Sequence, residues 1–465
     1  MKIIDWIKAV IHRMVGSNTI KSNFGVESSI TQGMANKIAE WGRMYQNNAD
    51  WLDSNTKSLN LPAAIASELA RLTTLEMKSE VTGSPRADYL NASYRNVLDD
   101  IMIQCEYACA KGGIMFKPYV DNGGISVDYI QADNFIPTAS DSNGKITGAV
   151  FVSQISRGDK YYTRLEYHNL SGTMYHIVNK AFVSDNESDI GREISLESVE
   201  EWAGITPECT IANMNQPLFG YFKMPFANTI DHTSPVGVSA YSRAVELIKE
   251  ADKQYSRILW EFEGSELAVH GDASLFRRDE KGKTIYPKGK ERLFVDLELT
   301  GEKSSTYNVF SPDIRDTSLI NGLNAILRRV EFNCNLAYGT LSDVQDVDKT
   351  AEEIKSSKQR SYTVICQIQK ALQTALEDLL YAMDTLATLY KLAPSGKYEA
   401  SFEFDDSIVA DKRADFEERM DLLSAGIISP YEVRMWYLGE DEKTARERIC
   451  LPAHTSQKNT AGGKV

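Results

Sequence analysis

Apolar positions recur along this chain in two rhythms, and the changes of rhythm divide it. From residue 28 to 111 the spacing is helical: Leu61, Ile65, Leu69, Leu72 and Leu75 fall three and four apart, and a second stretch from Tyr89 to Ala110 carries Val97, Ile101, Cys105 and Ala108. Gly112-Gly113 breaks that pattern. Ile114 to Ile130 then predicts a hairpin around Asp121-Asn122-Gly123-Gly124, a turn sequence that accepts positive φ. Between Ile146 and Val183, three segments rich in β-branched and aromatic residues predict more strands, separated by Arg157-Gly158-Asp159 and Ser171-Gly172-Thr173. His168 and His176 flank the second of these turns. Neither has a cysteine or carboxylate at ligand spacing, so both read as surface strand positions.

After Pro235 the helical rhythm returns. Tyr241, Ala244, Ile248, Ala251, Tyr255, Ile258 and Phe262 alternate by three and four, with Arg243, Glu246, Lys249, Glu250, Lys253 and Arg257 on the other faces. A second such helix runs from Thr317 to Tyr338 on Ile320, Leu323, Leu327, Val330, Cys334 and Ala337. Two amphipathic helices of similar length predict an antiparallel pair. Between them lies a β-like insertion, residues 264 to 316, with the strand-like RLFVDLEL. Its charge run carries Arg277, Arg278, Lys281, Lys283, Lys288, Lys290 and Arg292, more bases than the acids among them. Such a run reads as a solvated hairpin tip or, between paired helices, as a docking end. The acidic segment Gly339 to Asp348 comes next. From Lys349 to Leu392 there is no Gly or Pro, and Ile354, Tyr362, Ile365, Leu372, Leu376, Leu379, Met383 and Leu386 predict one long helix, with Ser356-Ser357 as a place to bend. A strand at Glu399 to Phe404, an acidic turn at Asp405-Asp406, helices at Lys412 to Ala425 and Ser429 to Tyr437, and a polar tail after Pro452 complete the pattern.

Composition narrows the class. The 465 residues are 42% hydrophobic and 25% charged, the profile of a folded protein of two or three packed regions. The first residues put Ile3, Ile4, Ile7, Val10, Ile11 and Met14 on one helical face interrupted by Asp5, Lys8, His12 and Arg13, which predicts a docked helix and not a signal peptide. No stretch has the uninterrupted apolar length of a membrane span. The six cysteines are scattered, as expected of free thiols; Cys105 and Cys109 share a helix face but lack further ligands for zinc. The net charge of −14 argues against a protein that grips duplex DNA, because gripping needs clustered Lys and Arg. It agrees with a surface past which DNA slides.

Catalytic constellations are missing in the sequence. Gly282-Lys283-Thr284 has Arg277 where a phosphate loop needs its first glycine; there is no H-E-x-x-H and no G-x-S-x-G. His12, His168, His176, His232, His270 and His454 form no pair in the sequence. Asp343, Asp346 and Asp348, or Asp405, Asp406 and Asp411, are the acidic sets open to a two-metal nuclease reading, but they fall on predicted loops. No metal, cofactor or catalytic residue is expected. The alternatives kept open are a metal-dependent DNA-processing enzyme and a monomeric helical scaffold or adaptor.

Several ordered fragments carry a family resemblance. They are GGIMFKPYVDNGGISVDYIQADNFIPT at 112 to 138, YTRLEYH at 162 to 168, SPVGVSAYSRA at 234 to 244, FSPDIR at 310 to 315, DKTAEEI at 348 to 354, FDDSIVADK at 404 to 412 and AGIISPYEVR at 425 to 434. In this order the chain resembles the portal proteins of long-tailed phages that infect Gram-positive bacteria. The resemblance implies an α+β portal fold: a helical and β-rich wing at 1–235, stem helices at 236–263 and 317–338, and a small α/β clip at 264–316. A tunnel loop at 339–348, a long spoke helix at 349–392, a short helical crown portion at 393–452 and a flexible tail at 453–465 complete it. It further implies a ring of about twelve copies at one capsid vertex, assembled in the host bacterial cytoplasm, through which double-stranded DNA is packaged and ejected. Partners implied are the large terminase ATPase and a head–tail adaptor at the clip, with major capsid and scaffolding proteins and no membrane. The tunnel loop residues would be Gly339, Thr340, Leu341, Ser342, Asp343, Val344, Gln345, Asp346, Val347 and Asp348. Lys249, Lys253, Arg328 and Arg329, on the polar faces of the paired helices, are candidates for the channel wall or for salt bridges between copies.

Overall fold

The computed structural model describes residues 14–15, 18–186, 188–272, 277–281, 285, 294–297, 307–343, 351–404 and 412–449. The chain forms two compact units, Met1–Phe404 and Asp405–Val465. The proposed N-terminal helix up to residue 13, the acids Asp405, Asp406 and Asp411, and the tail lie outside the described residues.

The first unit opens with α1 (Thr19–Phe24), α2 (Gln32–Tyr45) and α3 (Leu61–Thr74). The Thr31 hydroxyl caps α2 by accepting from Met34 N, and Pro62 sits in the first turn of α3, where no N–H is needed. A short strand, β1 (Met77–Thr82), precedes the long α4 (Pro85–Lys111), which Ser84 caps and Gly112 ends at φ +92°. Strands follow: β2 (Gly113–Asp121), β3 (Gly124–Gln131), β4 (Phe135–Ser140), β5 (Ile146–Arg157), β6 (Lys160–Ser171), β7 (Met174–Ser184), β8 (Arg192–Ile194), β9 (Glu208–Ala212) and β10 (Gly220–Lys223). Then come α5 (Val245–Gly264), β11 (Ala268–Asp272), β12 (Phe294–Leu297), β13 (Tyr307–Phe310), α6 (Asp316–Asn333), α7 (Ala351–Leu389) and β14 (Glu399–Phe404). The second unit holds α8 (Lys412–Ser424), α9 (Pro430–Leu438) and α10 (Glu442–Ile449). Gly426, at φ +71°, follows α8, and a Ser429–Glu432 capping box starts α9.

Helices and sheets are thus mixed in the first unit, whereas the regular elements described in the second are helices. One sheet has the order β10-β2-β3, and a larger one runs β4-β5-β6-β7-β8 with β9 also on β7. Alternate residues of the larger sheet feed two cores. Ala149, Phe151 and Tyr175 face the main core; Val150, Val152, Leu165, Tyr167 and Phe182 pack with Met14, Ile20 and Ile136 on the other side. The main core joins α2, α3 and α4, the β10-β2-β3 sheet, the near ends of α5 and α6, and α7. Along α7, Ile368, Leu372, Ala375, Leu376, Leu379, Leu380, Met383 and Ala387 are buried. The helix runs unbroken through Ser356 and Ser357 for 39 residues, about 58 Å. Its length reflects a body wrapped around its second half.

Two sequence readings need correction. The stretch 28–111 is not all helix: residues 77–82 form β1, paired antiparallel with β14 in the register Met77 to Phe404 and Thr82 to Glu399. The partner that makes MKSEVT a strand lies more than three hundred residues away, beyond any local pattern. His168 is no surface residue either. It is 4% exposed because both faces of its sheet are covered, and its ring bonds Glu166 Oε1 at 2.8 Å and the Tyr175 hydroxyl at 2.7 Å. His176 keeps to the exposed side, against Thr210 Oγ1.

Candidate functional site

The pair α5 and α6 is rooted in the body by a backbone contact. Gly112 and Gly237 approach so closely that a Cβ on Gly237 would fall 2.1 Å from the Gly112 oxygen. Around them Ala240 N donates to Cys109 O (2.9 Å), Met224 N to Gly112 O (3.1 Å) and the Tyr241 hydroxyl to Trp41 O (2.8 Å). Burial pushes the Tyr241 phenol above its usual range. These bonds hold residues 234–244 in turns, so α5 begins at Val245 and not at Tyr241, where the apolar spacing starts. Asp252 then accepts from Leu59 N (2.8 Å) and Trp51 Nε1 (2.9 Å), and Ser256 Oγ from Lys57 N (2.7 Å), bracing α5 against the segment between α2 and α3.

α5 and α6 have 20 and 18 residues, about 30 and 27 Å, and run antiparallel. Gln254 Nε2 donates to Leu319 O at 3.2 Å. At the far end Arg315 forks onto Glu261, Nε to Oε1 at 3.0 Å and Nη2 to Oε2 at 2.7 Å, and holds that carboxyl below its usual range. Val245, Ile248 and Ala251 on α5 and Leu327 and Val330 on α6 belong to the main core; Leu259, Trp260, Phe262, Ile314 and Ile320 further out are exposed. Beyond the pair, β12-β11-β13 form a small sheet, β11 with β12 parallel and with β13 antiparallel. Between α5 and α6 these three strands are the regular elements among the described residues.

The candidate cations divide by environment. Lys249 pairs with Glu246 at 3.8 Å and Lys253 with Glu250 at 2.8 Å, each one turn away on α5 and partly exposed. Arg329 is exposed on α6, while neighbouring Arg328 has its Nε buried without a hydrogen-bond partner among the described residues. In the insertion Arg277, Arg278 and Lys281 are exposed; Lys283, Lys288, Lys290 and Arg292 lie outside the described residues.

The acidic segment after α6 begins as an anchored structure. Glu331, fully buried, accepts from Gly339 N (3.1 Å), Leu341 N (2.7 Å), Ser342 N (2.8 Å) and the Ser342 hydroxyl. Asn324 and Asp343 exchange two further bonds, Asn324 Nδ2 to Asp343 Oδ2 (3.3 Å) and Asp343 N to Asn324 Oδ1 (3.2 Å). Gly339, Thr340, Leu341, Ser342 and Asp343 are therefore clamped on α6; Val344, Gln345, Asp346, Val347 and Asp348 lie outside the described residues. Beside this anchor Arg360 of α7 stacks on Phe332 at 4.6 Å and Tyr338 at 5.5 Å. The apolar periodicity of α6 gave no hint of Glu331 as a functional position. The available signal was a polar pair, Asn324 and Glu331, seven apart on the stripe of Leu327.

Among the described residues no group of three His, Cys, Asp or Glu side chains is placed to hold a metal, and no helix is long and apolar enough to cross a membrane. What the described residues do show is a helix pair rooted in a mixed α and β body, with an insertion at its far end. The particular family follows from sequence: residues 85–449 match the family described as phage portal protein, SPP1 Gp6-like, and the chain belongs to that family. It is a phage portal protein, a structural component of the virion that forms an oligomeric ring at the capsid vertex and associates with capsid and connector proteins. No curated protein sequence matches the chain. Among solved structures, it is similar to a chain from the "Neck of native GTA particle computed with C12 symmetry", at 10% identity and a TM-score of 0.42, over 86% of this chain and 92% of that one.

Proposed function

We propose that about twelve copies of this chain close a ring whose channel carries double-stranded viral DNA into and out of the capsid. In this reading residues 1–235 form the wing, α5 and α6 the stem, 264–316 the clip, 339–348 the tunnel loop, α7 the spoke, and 393–452 a short crown portion. The observation that carries it is the antiparallel helix pair with its insertion, in a chain of the portal family. A large terminase ATPase docks on the clip, with Arg277, Arg278, Lys281, Lys283, Lys288, Lys290 and Arg292 as contacts, and supplies the energy for packaging. A head–tail adaptor takes the same place afterwards. Assembly takes place in the host bacterial cytoplasm, with scaffolding and major capsid proteins around the wing.

The stem wall in this reading is nearly neutral. Lys249 and Lys253 have acids one turn away, so the duplex meets balanced charge and slides where a bare basic surface would hold it. The bonds that hold Gly339, Leu341 and Ser342 to Glu331 support a tunnel loop that departs from α6. Electron microscopy of the purified protein tests the reading: a channelled ring is expected, and a chain that stays monomeric at high concentration, even with capsid components present, overturns it.

A further inference from the structure

A cleft of about 510 Å³ opens between the first turn of β5, the end of β10 and one face of α7. Its walls are Phe219, Tyr221 and Phe226 on one side and Ala371 and Thr374 of α7 on another, with Asn143 and Ala227 exposed at the rim. The cleft is built, since β10 lies on α7 so tightly that a Cβ on Gly220 would stand 2.3 Å from Ala375 O. Its charges do not balance. Lys145 is answered by Asp378 at 2.7 Å and reaches Gln216 Oε1 at 3.3 Å, whereas Lys223, half-buried in the same wall, has no acidic or hydrogen-bonding partner among the described residues. Burial alone pushes the Lys223 pKa below the ordinary lysine value.

An ammonium drawn part-way out of water without a counter-charge is costly, and an arriving carboxylate that bonds it relieves that cost. The volume suits two or three residues of a chain, and the walls are aromatic and aliphatic. We propose that this cleft receives an acidic side chain, with an adjoining apolar residue, from a second copy of this chain, and that Lys223 is its ion-pair partner. Charge favours that occupant: each copy carries 65 acidic against 51 basic residues, so carboxylates are abundant on any neighbour of a ring. The inference rests on the ring reading above and adds to it a specific contact between protomers.

The test uses rings assembled from a mixture of heavy-nitrogen-labelled and unlabelled full-length chains, treated with a carbodiimide that joins touching amines and carboxylates as amides. Mass spectrometry is expected to find Lys223 joined to an Asp or Glu of the other isotope. Lys223→Met, which keeps the bulk and drops the charge, is expected to raise the protomer concentration for half-assembly about tenfold, with Lys223→Arg near wild type. Crosslinks from Lys223 only within one chain, crosslinks only to a capsid protein, or normal assembly of Lys223→Met each overturn the proposal and leave the portal ring standing. If the wild-type protein forms no ring, the portal reading fails and this contact with it.

Discussion

Glu331 concentrates more hydrogen bonds than any site read from the sequence, and it does so to organise backbone. Three N–H groups of residues 339–342 converge on one carboxylate oxygen, and each would be left unsatisfied in a buried setting without it. Glu331→Ala is expected to cost about 3 kcal/mol in urea unfolding of the full chain. Glu331→Gln, which keeps one acceptor oxygen, should lose about half as much; a midpoint unmoved in both variants would rule out the anchoring role. A second residue-scale expectation concerns acid. Burial pushes the His168 pKa below its ordinary value; burial would raise Glu166, but Lys117 at 2.7 Å and its bonds to His168 and Arg164 hold it well below the usual carboxylate range. Both groups have folded pKa values lower than unfolded ones. The stability that neutral His168 and ionised Glu166 contribute is therefore complete above about pH 6.5 and falls as pH drops through their folded values. Thermal melts from pH 7 to pH 4 should show this loss, and His168→Gln should flatten the upper part of the curve; an identical pH profile in the variant would count against the assignment. The neighbourhood was readable only in part, since YTRLEYH marks a strand but does not say that both of its faces are covered.

At the scale of elements, the decisive contacts are those between backbones. Gly112 ends α4 and Gly237 leads into α5, and the two touch with no room for a methyl group. Gly237→Ala is expected to destabilise the chain by roughly 3 kcal/mol, read as a lowered melting temperature, because the Gly112 oxygen belongs to backbone and cannot swing aside. Gly33→Ala, in α2 with nothing nearer than 3.8 Å, serves as the control and should melt within a degree or two of wild type. Equal behaviour of the two variants would show that the junction tolerates slack. The amphipathic pattern foresaw α4 and α7 to within a few residues and α5 and α6 over most of their length, since each carries a stripe long enough to read. It misplaced the start of α5 because Tyr241 and Ala244 are apolar for another reason: they fill the junction ahead of the helix. It missed β1 because a two-stranded pairing with β14 leaves no local trace beyond alternation in MKSEVT.

For the whole molecule, the open matter is what the four cations of the helix pair face. Single replacements Lys249→Glu, Lys253→Glu, Arg328→Glu and Arg329→Glu separate the two readings. If these side chains line the channel, DNA packaged per capsid falls while ring assembly is unchanged; if they bridge protomers, rings weaken in salt while the rings that survive package normally. Arg328, whose Nε is buried with no hydrogen-bond partner among the described residues, is the position expected to depart most from wild type.

By itself the sequence determined the class of each long element, the insertion between two matched helices, the absence of recognisable catalytic motifs and, through its ordered fragments, the portal family. Those properties are local or cumulative: periodicity needs only a few turns of chain, and short fragments gain meaning from their order. The tertiary structure alone decided that β1 is a strand, that His168 is buried, that Glu331 clamps the acidic segment and that Lys223 lies in a cleft with no ionic or hydrogen-bonding partner among the described residues. Each depends on which distant segments meet, and a buried carboxylate or an unanswered ammonium is defined by neighbours that the order of residues does not name.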